Sequence, residues 1–180
     1  ALEFPAPEHC ALQLPGDAAL VDANDYTQYT YAKPRPWDNE NPDGMHKGEF
    51  ADGNFYHAHG LGDRCENYHV DFLGLEPFGC TAGDKVVYTL PSLRPTGATL
   101  LLRYRTVTPG AAAFTVNDVA AELPESDSLT FTALPYDGAD TLTLESRGGA
   151  GVELDVLVLC RRGTEQEVSA RTVLRDTKPQ

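Results

Sequence analysis

The sequence predicts an all-β protein, a β-sandwich or jelly roll with a long irregular loop region in its N-terminal half. From residue 84 onward, short apolar and β-branched runs are divided by turn residues, and no helical periodicity separates them. Leu100, Leu102 and Tyr104 would share one face of a strand. Arg103 and Arg105 would lie on the other face. Repeated short strands of this kind are typical of antiparallel sandwiches.

Candidate strands can be placed along the whole chain. Those of the first half are residues 20–23, 26–31 and 67–74. Those of the second half are residues 84–90, 98–107, 114–116, 128–134, 140–146 and 151–160. Asn117 and Asp118 directly follow one of these runs and predict a tight hairpin turn. Residues 32–53 are rich in Pro, Gly, Asn and Asp, and an irregular run of this length is usually functional or disordered.

Length and composition favour one globular domain. The chain has 180 residues, of which 41% are hydrophobic and 23% charged, and it has no apolar run near the roughly 18 residues of a membrane span. Its net charge of -13 argues against nucleic acid or an anionic membrane as partner. We predict a single domain over residues 1–160 and a polar C-terminal tail over 161–180, either a terminal strand extension or, slightly favoured, an interdomain linker, which leaves open that the chain is a module of a larger protein.

The four cysteines predict disulfides rather than a metal site. They show no CxxC spacing, which argues against a zinc ribbon or a redox dithiol. Of the three possible pairings we favour Cys65 with Cys80, closing a local loop, and Cys10 with Cys160, joining the start of the chain to its last strand. Disulfides persist in oxidising compartments, so this pairing predicts a secreted, extracellular protein.

Four short motifs in the strand-rich half occur in the order of a known family. They are Arg103-Tyr104, Val116-Asn117, the strand after Gly138 and Leu154-Asp155. In order and spacing they resemble galactose-binding-like β-sandwich domains, most closely the carbohydrate-binding modules of families 6 and 35. The resemblance covers roughly half of the chain. It implies non-catalytic binding of a polysaccharide or oligosaccharide, and a structural calcium ion whose matching ligands here are Asp22, Asn24 and Asp155.

The resemblance also implies that sugars bind to loops at one edge of the sandwich, where aromatic rings stack on pyranose faces. The candidate ligand-binding residues are Tyr29, Tyr31, Trp37, Asn39, Phe55, Tyr56 and His57. Trp37 is the strongest of these because a tryptophan between Pro36 and Asp38 is hard to explain as a core residue. Tyr29 and Tyr31 alternate within a strand, so at least one face of that strand is expected to be core.

Residues 55–71 offer a competing interpretation, since they hold three of the five histidines. His57 and His59 would project from one face of a strand, and His69 could complete a transition-metal triad. A jelly-roll polysaccharide-active enzyme, either a lyase or metal-dependent, is therefore an alternative function. Structural histidines are the commonest explanation of such a cluster. An adhesion or assembly module is a third class.

Overall fold

The computed structural model describes residues 10–23, 25–33 and 76–172, which form eleven β-strands and one short 3-10 helix. The strands are β1 Cys10–Gln13, β2 Ala19–Asp22, β3 Gln28–Thr30, β4 Lys85–Thr89, β5 Thr99–Thr106, β6 Ala112–Val116, β7 Val119–Leu123, β8 Thr130–Leu134, β9 Thr141–Gly149, β10 Val152–Cys160 and β11 Ser169–Thr172. The 3-10 helix is Glu165–Glu167. The all-β prediction is confirmed. The candidate strand at 67–74 lies outside the described residues.

The strands form two large antiparallel sheets and one small one. The four-stranded sheet has the order β2-β10-β5-β8, the five-stranded sheet has the order β3-β4-β9-β6-β7, and β1 pairs with β11. One buried cluster contains side chains from both large sheets, for example Leu102 and Leu154 from the first and Tyr88 and Leu142 from the second. The two sheets therefore pack face to face as a β-sandwich.

Period-two alternation sets the inner face of β5, as predicted, but β10 departs from it. The register between β10 and β5 shifts between Leu154 and Val156, so Asp155 is the extra residue of a β-bulge. Leu154 and Leu157 both reach the core although they are three residues apart. Asp155 is thereby moved to the outer side of the four-stranded sheet, where it can meet Arg103 of β5.

The outer face of the four-stranded sheet has an apolar cluster of its own. Leu101, Val158, Cys160 and Val168 are buried there, and Leu14 packs against them. Part of the predicted tail over 161–180 belongs to the described structure: Val168 is buried, and β11 pairs with β1. A polar strand can join a sheet through backbone hydrogen bonds alone, which composition does not reveal. Residues 173–180 lie outside the description.

The predicted hairpin turn at Asn117 and Asp118 is present between β6 and β7. Both residues have positive φ, 47° and 70°, as a two-residue turn of this hand requires. The Asn117 side chain also ties the turn to the neighbouring strand, since its Nδ2 donates to the Thr141 carbonyl at 3.0 Å and its Oδ1 accepts from the Thr143 amide at 2.8 Å. Within the described ranges, no helix is long and apolar enough to cross a membrane.

Gly110 and Gly149, which lie near each other at one end of the sandwich, provide a test of backbone packing. Gly149 has φ +116°, and a Cβ there would lie 2.8 Å from the Ala111 carbonyl oxygen. Gly110 has φ +100° but open space around the same position. We expect Gly149→Ala to lower the free energy of unfolding by about 3 kcal/mol, because strain and overpacking add, and Gly110→Ala by about 1 kcal/mol from strain alone. Urea unfolding of the two variants measures both values, and equal losses would contradict this account of Gly149.

Candidate functional site

Pairing registers define the end of the sandwich to which residues 34–75 are attached. Thr30, the last residue of β3, pairs with Lys85, the first residue of β4. The chain therefore leaves the sandwich after Lys33 and returns at Glu76 on the same end, which we call the segment end. The turns at 107–111 and 150–151 lie there too, since Val107 donates to the Gly151 carbonyl and Val152 to the Phe78 carbonyl.

A buried carboxylate holds the two stems of this segment together. Asp84 is 1% exposed, and its oxygens accept from the Ala32 amide at 2.8 Å and from the Gly79 amide at 2.9 Å. Ala32 belongs to the outgoing stem and Gly79 to the returning stem. Hydrogen bonds to a buried charged acceptor are among the stronger ones in proteins. Asp84 thereby fixes the spacing of the stems.

A second, more exposed contact lies further out along the stems. Lys33 Nζ lies 3.1 Å from Glu76 Oε2, which also accepts from the Thr81 hydroxyl at 2.6 Å. Both charged side chains are more than half exposed, so water screens this ion pair and it adds little stability. Of these two contacts, the buried one at Asp84 contributes more to holding the stems.

A groove of about 600 Å³ lies beside the stems. One side is lined by Thr106, the last residue of β5, and by residues 107–109, which follow it. The other side is lined by residues 125–127, which link β7 to β8. Glu125 Oε2 accepts from the Gly110 amide at 2.6 Å and holds the two turns together. The hydroxyl groups of the groove bond within the protein, those of Thr106 and Ser126 to backbone carbonyls and that of Thr108 to the Gly151 amide. The carboxylates of Glu125 and Asp127 are the lining groups that can accept hydrogen bonds from a polar ligand.

Two of the predicted ligand-binding aromatics are core residues. Tyr29 and Tyr31 are 0% and 5% exposed, and the Tyr29 hydroxyl donates to the Tyr31 hydroxyl at 2.5 Å. The Tyr29 ring packs against Tyr26 and Phe78 at centroid distances of 5.2 and 5.3 Å. Both rings are thus buried inside the protein and are not exposed to stack on a sugar. The other predicted residues lie outside the described part of the chain: Trp37, Asn39, Phe55, Tyr56, His57, His59 and His69.

One of the three predicted calcium ligands, Asp155, forms an ion pair instead. Asp155 Oδ2 accepts from Arg103 at 2.6 Å, and both side chains are buried. Asp22 is exposed on β2 opposite Val156, and Asn24 lies outside the description. Calcium prefers six to eight oxygen ligands, and a guanidinium bound to Asp155 repels a cation there. The described residues therefore fit an ion pair better than calcium, which stays a prediction. In residues 10–23, 25–33 and 76–172, no three His, Cys, Asp or Glu side chains form a metal site.

A second ion pair continues this arrangement along the outer face of the four-stranded sheet. Arg105 Nε lies 2.5 Å from Glu153 Oε2, and this hydrogen bond raises the pKa of Arg105. Arg103 and Asp155 both belong to the motifs that carry the resemblance, and the sheet register brings them together. The sequence analysis missed this pairing because it depends on the bulge in β10.

The cysteines do not support the predicted disulfides. Cys80 and Cys160 are both free thiols in the structure. Cys80 lies in the returning stem, 3.9 Å from the Thr108 hydroxyl, and Cys160 is buried in the outer-face cluster of the four-stranded sheet. Burial raises the pKa of both thiols, so they stay protonated and weakly nucleophilic at neutral pH. Cys65, the predicted partner of Cys80, lies outside the described residues.

The opposite end of the sandwich has a cleft that the sequence analysis did not predict. Its volume is about 600 Å³, and it lies between loop 90–98, which joins β4 to β5, and loop 135–140, which joins β8 to β9. Arg94, Tyr136, Asp137 and Arg162 are among its lining residues. These residues are far apart in sequence and do not form a recognisable motif, so only the fold brings them together.

Comparisons with known proteins do not supply a family. Protein-family models, curated proteins and solved structures gave no significant match to this chain. The resemblance to carbohydrate-binding modules therefore has no support beyond the motifs, and the function has to be argued from the sandwich and its two ends.

Proposed function

We propose that this protein is a non-catalytic module that binds a polysaccharide or oligosaccharide at the segment end of the sandwich. The observation that carries the proposal is the Asp84 anchor, which fixes both stems of residues 34–75 to a rigid scaffold. Binding loops on rigid sandwiches are a common use of this architecture. The same segment holds Trp37, Asn39, Phe55, Tyr56 and His57, the residue types that suit sugar recognition.

The chemistry of these residues suits a glycan. Aromatic rings offer a flat apolar surface to the carbon-hydrogen face of a pyranose, and an asparagine amide can donate to and accept from sugar hydroxyls. The groove beside the stems adds carboxylate groups, which can accept from sugar hydroxyls. A net charge of -13 disfavours polyuronates and other polyanions, so the proposed ligand is a neutral glycan.

Two further parts of the proposal follow from the ligand. The proposed ligand is an extracellular polysaccharide, so an extracellular location belongs to the proposal. The proposed contacts are stacking and hydrogen bonds made by side chains, and they require no calcium ion.

Affinity electrophoresis in gels containing neutral polysaccharides tests the role of the segment. We expect the wild-type protein to be retarded and Trp37→Ala to bind about tenfold more weakly, because the loss of one stacked ring removes roughly 1.4 kcal/mol. Val119→Ala is the matched control. Val119 is 54% exposed just after the β6–β7 turn, away from the stems, and its loss should not change binding. Equal retardation of all three proteins would argue against the proposal.

A further inference from the structure

The cleft opposite the segment end has a rigid frame. Arg94 holds the two sides of the cleft together. Its side chain is 14% exposed, and its guanidinium donates hydrogen bonds to three acceptors. NH1 donates to the Pro91 carbonyl at 2.7 Å, and NH2 donates to the Gly138 carbonyl at 3.1 Å and to Asp140 Oδ1 at 2.5 Å. Loop 90–98 is thereby bound to loop 135–140. A ligand in the cleft would not have to order these two loops on binding.

An aromatic ring is fixed in the same cleft. Tyr136 lines the cleft, is half-buried and packs against the sandwich core. Its hydroxyl donates to the Ala139 carbonyl at 2.8 Å, which restrains the ring and uses its polar tip within the protein. The part of the ring that lines the cleft is therefore apolar surface.

Two charged groups in the cleft keep hydrogen-bonding capacity for a ligand. Asp137 accepts from the Ala139 amide through Oδ1, so its Oδ2 is available. Arg162 lines the cleft, and its guanidinium makes no hydrogen bond or close ion pair in the part of the chain that the structure describes, although Glu165 is near enough to interact with its charge. A carboxylate accepts from hydroxyl groups and a guanidinium donates to them, and together they match neighbouring hydroxyls on a sugar ring.

The charge of the cleft selects the ligand class. Its two arginines, Arg94 and Arg162, are balanced by Asp137 and Asp140, so it has no net charge although the chain as a whole has -13. A polyanion gains nothing from a neutral cleft and is repelled by the rest of the protein. Aromatic surface beside paired hydrogen-bonding groups is the usual lining of a site for a neutral polar ligand.

We propose that this cleft is a second binding site, specific for a neutral saccharide, at the end of the sandwich opposite residues 34–75. The proposal stands on loops 90–98 and 135–140 with Arg162 and does not depend on Trp37. A chain with both sites would contact glycan at two opposite ends.

The test is a titration of the ¹⁵N-labelled full chain with neutral tetrasaccharides, namely β-1,4-linked glucose, xylose, mannose and galactose oligomers, followed by amide chemical shifts. We expect one of them to give saturable shifts at residues 92–97 and 136–140. Asp137→Asn keeps the Oδ1 bond to Ala139, and Arg162→Ala removes the guanidinium. Each should weaken binding about fivefold or more, because each removes hydrogen bonds to sugar hydroxyls.

Two controls make the titration decisive. Arg161→Ala removes the neighbouring guanidinium, which pairs with Asp17 and does not line the cleft, so it should bind like the wild-type protein. Trp37→Ala should also keep the cleft shifts, which separates this site from the one at the segment end. The proposal is overturned if no neutral tetrasaccharide shifts these amides at about 10 mM. Stronger binding of tetragalacturonate, or an equal loss in Arg161→Ala, would overturn it too.

Discussion

Replacing Arg103 with methionine lowers the free energy of unfolding by about 3 to 5 kcal/mol, because Asp155 is then left buried without its counter-charge. The two side chains are 6% and 7% exposed and lie 2.6 Å apart across β5 and β10. Little water reaches this site to solvate an unpaired carboxylate. Urea unfolding followed by fluorescence gives the value directly.

Two further variants separate the ion pair from general effects of substitution. Replacing both partners, Arg103→Met with Asp155→Leu, should recover most of the loss, since two apolar groups leave no charge to desolvate. Arg161→Met is the matched control in an exposed pair. The side chains of Arg161 and Asp17 are 68% and 42% exposed, so water can solvate Asp17 when Arg161 is replaced, and we expect a loss of about 0.5 kcal/mol at most. If Arg103→Met loses no more than Arg161→Met, the buried pair is not a main support of the sheet.

Asp84→Asn lowers the free energy of unfolding by about 3 kcal/mol, because an amide nitrogen replaces one of the two oxygens that accept backbone amides. One of the Ala32 and Gly79 amides would then face a donor inside the protein. Glu76→Gln is the matched control in the exposed pair with Lys33, and we expect a change of about 0.5 kcal/mol at most.

Hydrogen exchange locates the effect of Asp84→Asn at the stems. The Ala32 and Gly79 amides should exchange faster in this variant, while amides in the middle of β5 and β9 should follow the global stability alone. If both stem amides keep wild-type protection and the free energy is unchanged, Asp84 does not anchor the segment.

The strands could be predicted where local patterns decide them. Leu100, Leu102 and Tyr104 alternate with Arg103 and Arg105, and β5 has the two faces that this pattern requires. Asn117 and Asp118 tolerate positive φ, which fixes the β6–β7 turn.

The remaining features depend on contacts between distant residues, which local patterns do not contain. The bulge at Asp155 follows from pairing with β5, and β11 joins the fold through its backbone. Tyr29 and Tyr31 are of a residue type that can stack on sugars, yet they lie between the sheets and belong to the core. The cleft joins Arg94, Asp137 and Arg162 from three separate connections, so its existence could not be read from any one of them.

The most direct test of the proposed function measures binding and product in the same tube. Wild-type protein is incubated with insoluble neutral polysaccharides, and the bound fraction and the new reducing ends are measured together. We expect retention on at least one polysaccharide without release of reducing ends. Release of reducing ends, abolished by His57→Ala, would contradict it and establish an enzyme. A protein that stays in solution with every polysaccharide would contradict it as well and would favour an adhesion or assembly role.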